Sequence, residues 1–242
     1  MRILVGGDSH GSTTYMRALF EKAQEYGCDS VFIVGDYGYY PLMGPGMDFL
    51  DECTRLCNLF NMPLFWLDGN HEDFGTLQRM HKGLSIHDNF IEVRPSIFYS
   101  PRGHVFEWDG VRFMTVGGAF SINRIDMKLG EDWFLEEELT LREARRAMSR
   151  GKVDIMLTHD APKRSNVFDY TPWCKTIEGA KMGRNLVDQI VDTAQPSLLI
   201  HGHYHVPYRE NHGQLTIRGL AHNKWQGSIN DCFWIIDTKD YK

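Results

Sequence analysis

The sequence predicts an α/β fold in which helices cover both faces of a largely parallel sheet. Three features indicate this fold: short unbroken apolar runs, amphipathic helical segments between them, and polar segments rich in Asp and His directly after several runs. Unbroken apolar strands are typical of parallel strands that are buried on both faces. The 242 residues suffice for one large domain, so we expect a single domain over residues 1–242.

The first half of the chain alternates between strands and helices. Apolar runs at residues 3–5, 31–34 and 64–67 predict three buried strands. A helix follows the first run and begins near Ser12 or Thr13, since either side chain can cap it. A second helix follows the second run.

The middle of the chain predicts shorter β segments. They include residues 97–99, 105–108 and 111–116, with Asp109-Gly110 as a hairpin signal between the last two. A helix is then predicted from Thr140, because Glu143 completes a capping box with it.

The strand and helix alternation returns in the last third. Strands are predicted at residues 155–157, 198–200, 215–218 and 232–236. Residues 162–183 predict a loop longer than most in compact domains, and therefore a candidate binding loop. A helix follows that loop and ends before Pro196.

Composition narrows the classes of function. The formal net charge of −6 argues against extended nucleic-acid binding, which depends on phosphate neutralisation, but not against a small phosphorylated substrate. The five cysteines are odd in number and lack disulfide-framework spacing. The N-terminal sequence enters a strand without a signal-peptide layout, and no apolar stretch could span a membrane. We therefore expect a cytoplasmic protein without membrane association.

Five short segments, each at the end of an apolar run, carry the chemistry. In chain order they are Asp8-Ser9-His10, Gly35-Asp36, Gly69-Asn70-His71-Glu72, Thr158-His159-Asp160 and Gly202-His203-Tyr204-His205. Asp, Asn and His bind borderline divalent metals. Because open α/β sheets keep their ligands at the carboxyl ends of strands, the five segments predict a two-metal hydrolytic site.

Individual residue types suit particular roles in such a site. The carboxylate of Asp36 has two oxygens and can bridge two ions. Two cations about 3.5–4 Å apart can share a hydroxide that attacks phosphorus in line. The leaving oxygen then needs a proton, and His71 is placed to supply it as general acid.

The order D-x-H, GD, GNHE, a lone His and GHxH resembles the calcineurin-like metallophosphoesterase superfamily, over positions 8–205. The resemblance implies a four-layer α/β/β/α sandwich with two mixed sheets and a dinuclear metal site at the carboxyl edge of the strands. It implies two divalent ions, with manganese expected first and iron, zinc or nickel as alternatives. The residue roles it implies are one ion on Asp8, His10 and His205, the other on Asn70, His159 and His203, Asp36 as the bridge, and His71 as the acid.

The sequence departs from the Ser/Thr protein phosphatase branch, which continues GD as GDxxDRG. Here Gly35-Asp36 is followed by Tyr37-Gly38-Tyr39-Tyr40, so the second Asp and the Arg are absent. In that branch the Asp orients the catalytic His, so the partner of His71 stays open, with Glu72 and Asp73 as candidates. The missing Arg removes a phosphate clamp, which disfavours protein phosphatase activity.

Four residues are candidate substrate contacts. Tyr37 could stack on a base, although simple packing is an equal alternative. Arg124, Lys163 and Arg164 lie in loops after strands and could contact phosphate, although each alone is more often a solvated charge. His222 has no metal-ligand spacing, so a surface or structural role is expected for it.

These observations favour a phosphoesterase that hydrolyses a small phosphodiester, with a nucleotide-like substrate as one candidate. A phosphomonoesterase acting on a small molecule or a protein is the alternative. A nuclease acting on long DNA is less favoured because no basic track is present. A catalytically silent scaffold is also less favoured, because His71 and all seven proposed ligands are retained.

Overall fold

The computed structural model describes residues 1–80, 89–172, 174 and 177–241. Within them, the strands are β1 (Arg2–Gly6), β2 (Ser30–Val34), β3 (Leu64–Leu67), β4 (Ile91–Arg94), β5 (Ile97–Tyr99), β6 (His104–Trp108), β7 (Val111–Val116), β8 (Ile155–Thr158), β9 (Leu198–His201), β10 (Tyr208–His212), β11 (Leu215–Gly219) and β12 (Phe233–Asp237). The α-helices are α1 (Thr13–Glu25), α2 (Gly44–Phe60), α3 (Phe74–Met80), α4 (Leu141–Met148), α5 (Val167–Tyr170) and α6 (Glu178–Ala194). No helix in these ranges is both long enough and apolar enough to cross a membrane.

The strands form two six-stranded sheets, in the orders β12-β1-β2-β3-β5-β4 and β10-β11-β9-β8-β7-β6. The four central strands of each sheet are parallel, and each outermost strand is antiparallel to its neighbour. The sequence predicted parallel strands from the apolar runs of β1, β2, β3, β8 and β9, whereas β5, β7 and β11 were predicted only as strands. The antiparallel edges make both sheets mixed, as the family resemblance implied.

Side-chain alternation along the central strands produces four layers. In β1, Leu4 packs with Met16 and Leu19 of α1, whereas Ile3 and Val5 belong to a core between the two sheets. In the second sheet, Met156 belongs to the core formed with α4 and α6, and its neighbours in β8 face the first sheet. Because successive strand side chains point to opposite faces, each sheet is covered by helices outside and by the other sheet inside. The predicted α/β/β/α sandwich is confirmed.

Local signals in the sequence explain several boundaries. The Ser12 hydroxyl accepts from the Tyr15 amide at 3.3 Å and caps α1, and the Thr140 and Glu143 capping box begins α4. Asp109 and Gly110 have φ of 53° and 81° and join β6 to β7, as a hairpin turn of this sequence requires.

Several elements differ from the sequence prediction: α3, α5, β4 and β10 were not predicted, and α6 begins early. Helix α6 begins at Glu178, inside the predicted loop of residues 162–183, and its N-cap residue makes no side-chain capping bond. Strand β10 was not predicted, because only its first residue, Tyr208, is fully buried and the other four are polar. As an outermost strand it needs little apolar surface.

Candidate metal centre

The polar segments after the central strands are held in unusual backbone conformations. His10, Asp36, His203 and His205 have φ of 45°, 45°, 67° and 59°. L-residues with such angles store strain of about 1–3 kcal/mol each, and they persist where the surrounding structure fixes them, often at functional sites. These four residues lie two to four positions after the ends of β1, β2 and β9.

Glycines in the same motifs allow close approach of the carboxylates. A Cβ on Gly69 would lie 2.1 Å from Asp36 Oδ1, and one on Gly202 would lie 1.9 Å from Asp8 Oδ1. Any larger residue would therefore displace the carboxylates. This is the physical reason for glycine ahead of Asn70 and of His203.

The first group of converging side chains contains Asp8, His10, Asp36 and His205. Their ligand atoms all lie within 4.8 Å of one another. The Nε2 atoms of His10 and His205 are 3.2 Å apart, and His205 Nε2 is 3.0 Å from Asp8 Oδ2. Metal to imidazole distances are about 2.0–2.1 Å, so two nitrogens at this separation suit neighbouring ligands of one cation.

The second group lies on the other side of the Asp36 carboxylate. His159 Nε2 is 3.0 Å from Asn70 Oδ1 and 3.4 Å from Asp36 Oδ1. The rings of His159 and His203 are 5.0 Å apart. The other Asp36 oxygen, Oδ2, lies 3.7 Å from His10 Nε2. Asp36 is thus located between the two groups, with one oxygen toward each.

Backbone amides hold both carboxylates in place. Asp36 Oδ1 accepts from the amides of Asn70 and His71 at 2.9 and 2.8 Å. The Asp8 carboxylate accepts from the amide of His203, which is 3.0 Å from Oδ2. The Asp36 bonds join the loops after β2 and β3, and the Asp8 bond joins the loop after β1 to the loop after β9 in the other sheet. The site therefore depends on the packing of both sheets.

Hydrogen bonds on the far side of two proposed ligands orient them. His159 Nδ1 donates to the Val34 carbonyl at 2.9 Å, so in the neutral ring Nε2 carries the lone pair, and it faces the centre. The Asn70 amide nitrogen donates to Ser121 Oγ at 2.9 Å, which directs its oxygen inward. Both side chains therefore present a lone pair to the site.

The protonation equilibria fit a cation site. Burial would raise the pKa of Asp36, but the imidazoles of His159, His71 and His10 together with the His71 amide bond hold it well below its usual range. Burial lowers the pKa of His203 to about 3. Asp36 is thus ionised and His203 neutral near pH 7, the forms that bind metal.

The partner of His71 was open between Glu72 and Asp73, and both carboxylates are engaged elsewhere. Glu72 is buried and accepts from the backbone amides of Tyr37, Gly38 and Tyr39. Asp73 accepts from the Thr76 amide at 2.9 Å, in the first turn of α3. The His71 ring is half-buried and lies 5.7 Å from that of His10.

A cleft of about 460 Å³ opens directly beside these two imidazoles. One wall comes from the loop after β2 and the start of α2, and the other from residues 131–132. The lining residues are His10, Gly11, Gly38, Tyr40, Met43, Pro45, Gly46, Phe49, His71, Glu131 and Asp132.

The four candidate substrate contacts all lie outside the lining of this cleft, and for Tyr37 the structure corrects the expectation. Tyr37 is completely buried, with its ring 5.0 Å from Trp66 and 4.9 Å from Phe49, so it packs the core and cannot reach a substrate. The packing alternative was the right one, because the Tyr37 ring lies in the core formed with Trp66 and Phe49.

The three basic side chains among these candidates are exposed or already paired with carboxylates. Arg124 lies over the Phe120 ring at 4.1 Å and pairs with Glu138 at 2.7 Å. Arg164 pairs with Asp188 at 2.6 Å. Lys163 is solvent-exposed. The solvated-charge interpretation describes these positions better than phosphate binding does.

The structure also brings His222 to the site, where a surface or structural role was expected. Strand β11 is parallel to β9, so its carboxyl end reaches the same edge, and His222 follows it by three residues. Its ring stacks on that of His205, with ring centres 4.0 Å apart and planes 5° apart. The usable signal in the sequence was its position just after a buried strand, rather than any motif spacing.

Known proteins share the fold described above. Residues 1–207 match the family described as calcineurin-like phosphoesterase. A dimetal phosphatase from Danio rerio has a similar fold, with a TM-score of 0.58 and 11% identity, covering 92% of this chain and 87% of that chain. The Thermus thermophilus protein TT1561 gives a TM-score of 0.55 and 15% identity, covering 91% and 89%. GAP50, the anchor in the inner membrane complex of Plasmodium, gives 0.52 and 12%, covering 90% and 70%. A search of curated proteins found no match.

Proposed function

The chain belongs to the calcineurin-like phosphoesterase family, and on this premise we propose that it hydrolyses a small phosphodiester with the help of two divalent cations. Membership implies a hydrolase, and the family uses divalent metals. What we propose beyond membership is the number of ions, the substrate and the role of each residue.

The placement of Asp36 carries the proposal of two ions. One of its oxygens faces His10 and the other faces His159. The first side also has buried Asp8, and the second has buried Asn70 and His159. A mixed set of imidazole, carboxylate and amide donors suits borderline cations, with manganese proposed first and iron, zinc or nickel as alternatives. Two bound cations would supply an activated water and neutralise charge on the phosphate.

The protein residues then have distinct tasks. Asp8, His10 and His205 would hold one cation, Asn70, His159 and His203 the other, and Asp36 both. The ring of His71 makes no hydrogen bond to the described residues of either group. Its half-buried imidazole lines the cleft beside His10. We assign it the transfer of a proton to the departing alcohol, because an imidazole changes charge near neutral pH.

The cleft supports a diester in preference to a monoester. A volume of about 460 Å³ beside His71 can hold the alcohol portion that a diester carries. Its lining has no Lys or Arg among the described residues, whereas a monoester dianion is usually clamped by such cations. Tyr40, which is half-buried, offers an aromatic face on which a nucleoside base can stack. A nucleotide-like diester is therefore the substrate class we propose.

Parallel assays on two model esters test the proposal. After reconstitution with Mn²⁺, bis(p-nitrophenyl) phosphate should be hydrolysed at least about tenfold faster than p-nitrophenyl phosphate, equal to about 1.4 kcal/mol in activation free energy. Protein treated with a chelator, and the Asp36→Asn variant, provide the controls for metal dependence. A faster monoester reaction would contradict the diester proposal and favour the phosphomonoesterase alternative.

A further inference from the structure

We propose that His222 is a substrate-binding residue, whose ring donates a hydrogen bond to a non-bridging oxygen of the phosphate bound beside His10 and His205. This inference rests on the proposed function, since it requires a phosphate at the metal centre. It adds a contact that lies beyond the five motifs of the family resemblance, because His222 follows strand β11.

The position of the ring is the first argument. One ring nitrogen of His222 lies within 4.8 Å of the metal-binding nitrogens of both His10 and His205. The ring centres of His222 and His10 are 6.3 Å apart at an interplanar angle of 88°. The His222 ring is therefore close enough to His10 and His205 to contact a phosphate bound to the cation that they would hold.

The orientation of the ring argues against a role as a further ligand together with His205. An imidazole lone pair lies in the plane of its ring, so a cation bound by two imidazoles must lie close to both planes. The rings of His205 and His222 are stacked, with centres 4.0 Å apart and an angle of 5° between their planes. The two planes therefore intersect only far from the site. With this stacking, His222 cannot bind the ion that His205 binds.

The backbone around His222 is tied to the site. The amide of Asn223 donates to the carbonyl of Asp8 at 3.0 Å, and the His222 carbonyl accepts from the Trp225 amide at 3.0 Å. The ring of His222 is half-buried, and its Nδ1 is buried without a hydrogen-bond partner among the described residues. A fixed imidazole with unused hydrogen-bonding capacity next to a phosphate site is suited to bind the phosphate.

Substitutions at His222 can separate hydrogen bonding from packing. His222→Phe keeps a flat ring that can stack on His205 but has no nitrogen. His222→Gln and His222→Asn each keep an N–H donor near one of the two ring nitrogens. His212→Ala is the matched control, since His212 lies on the outer strand β10 and pairs with Glu210 at 3.2 Å.

Two quantities are measured on Mn²⁺-loaded protein: manganese per chain by elemental analysis, and the dissociation constant of inorganic phosphate by calorimetry. His222→Phe should retain the wild-type manganese content and bind phosphate about tenfold more weakly, as expected for the loss of one hydrogen bond to a charged group. The Gln or Asn variant should recover part of that loss, and His212→Ala should match the wild type.

Several results would overturn the inference. Wild-type phosphate binding by His222→Phe would show that the ring only packs. Loss of manganese in that variant would show that His222 is a ligand. If the wild-type protein binds two manganese ions and phosphate normally while the variants equal it, only the role of His222 fails. If the wild type binds neither, both this role and the proposed function fail.

Discussion

Glu72 anchors the loop that follows Asp36, and replacing it with Gln gives a quantitative test of that anchoring. Its carboxylate accepts three backbone amide bonds, from Tyr37 at 2.8 Å, Gly38 at 3.1 Å and Tyr39 at 2.7 Å. In Glu72→Gln the remaining oxygen can serve Gly38 and Tyr39. The new amide group would then face the Tyr37 N–H, donor against donor.

The expected cost follows from these three bonds. Hydrogen bonds to a charged group contribute about 1.5–3 kcal/mol each, and a buried donor without a partner costs about 1–3 kcal/mol. Losing the Tyr37 bond and the charge on the other two should lower the free energy of unfolding by about 2–4 kcal/mol. Burial and the nearby Asp36 charge raise the pKa of Glu72 while the amide bonds oppose this rise, so the measurement also reports which protonation state the loop requires.

Urea unfolding of the metal-free protein by linear extrapolation provides the assay. The matched control is Glu21→Gln, the same change at an exposed position of α1. Manganese content should fall as well, because a loosened loop no longer holds Asp36 between its two groups. A loss of stability below about 1 kcal/mol, equal to the control, would mean that the carboxyl is neutral in the folded protein and would refute the reasoning.

Four further substitutions test other parts of the account. Asp36→Asn should lower manganese content and turnover together, because an amide is a poor bridge; unchanged metal content by elemental analysis would remove the bridging role. His71→Ala should keep the metals and lose about 10²–10⁴ in turnover on alkyl esters, and equal rates on those esters would remove its acid role. Arg102→Met should lower the free energy of unfolding by about 3–5 kcal/mol in urea, because buried Asp68 loses its partner at 2.7 Å; a change within experimental error would show that this pair is dispensable. Burial raises the pKa of Glu137 from 4.5 to about 7, so the folded protein binds this proton more tightly than the unfolded chain does. The protonated carboxyl therefore stabilises the folded state at low pH, and this stabilisation is lost as pH rises through about 7. Relative to Glu137→Gln, the wild type should therefore lose about 1–2 kcal/mol between those two pH values, and parallel stability profiles would contradict this.

The elements that the sequence predicted correctly are determined by residues that are close together in the chain. The apolar run of residues 64–67 coincides with β3, and the hairpin at Asp109 and Gly110 and the capping box of Thr140 and Glu143 lie where expected. In each case the residues involved are neighbours in sequence, so their physics can be evaluated without the rest of the chain. The five motifs could be placed at one edge for a related reason, because parallel strands bring their carboxyl ends together.

The parts that could not be predicted depend on contacts between distant segments. Tyr37 follows Asp36 directly, yet its ring packs under α2 on Phe49, a direction that adjacency does not fix. The anchoring role of Glu72 requires the loop after β2 to fold over it. His222 lies 17 residues beyond the last motif residue, His205, and reaches it only because β11 pairs with β9.

A crystal structure of the protein grown with Mn²⁺, with data collected at the manganese absorption edge, tests the central claim most directly. Two anomalous peaks should appear about 3.5–4 Å apart, one on each side of the Asp36 carboxylate. The first should lie against Asp8, His10 and His205, and the second against Asn70, His159 and His203. A single peak, or peaks away from Asp36, would contradict the two-cation site.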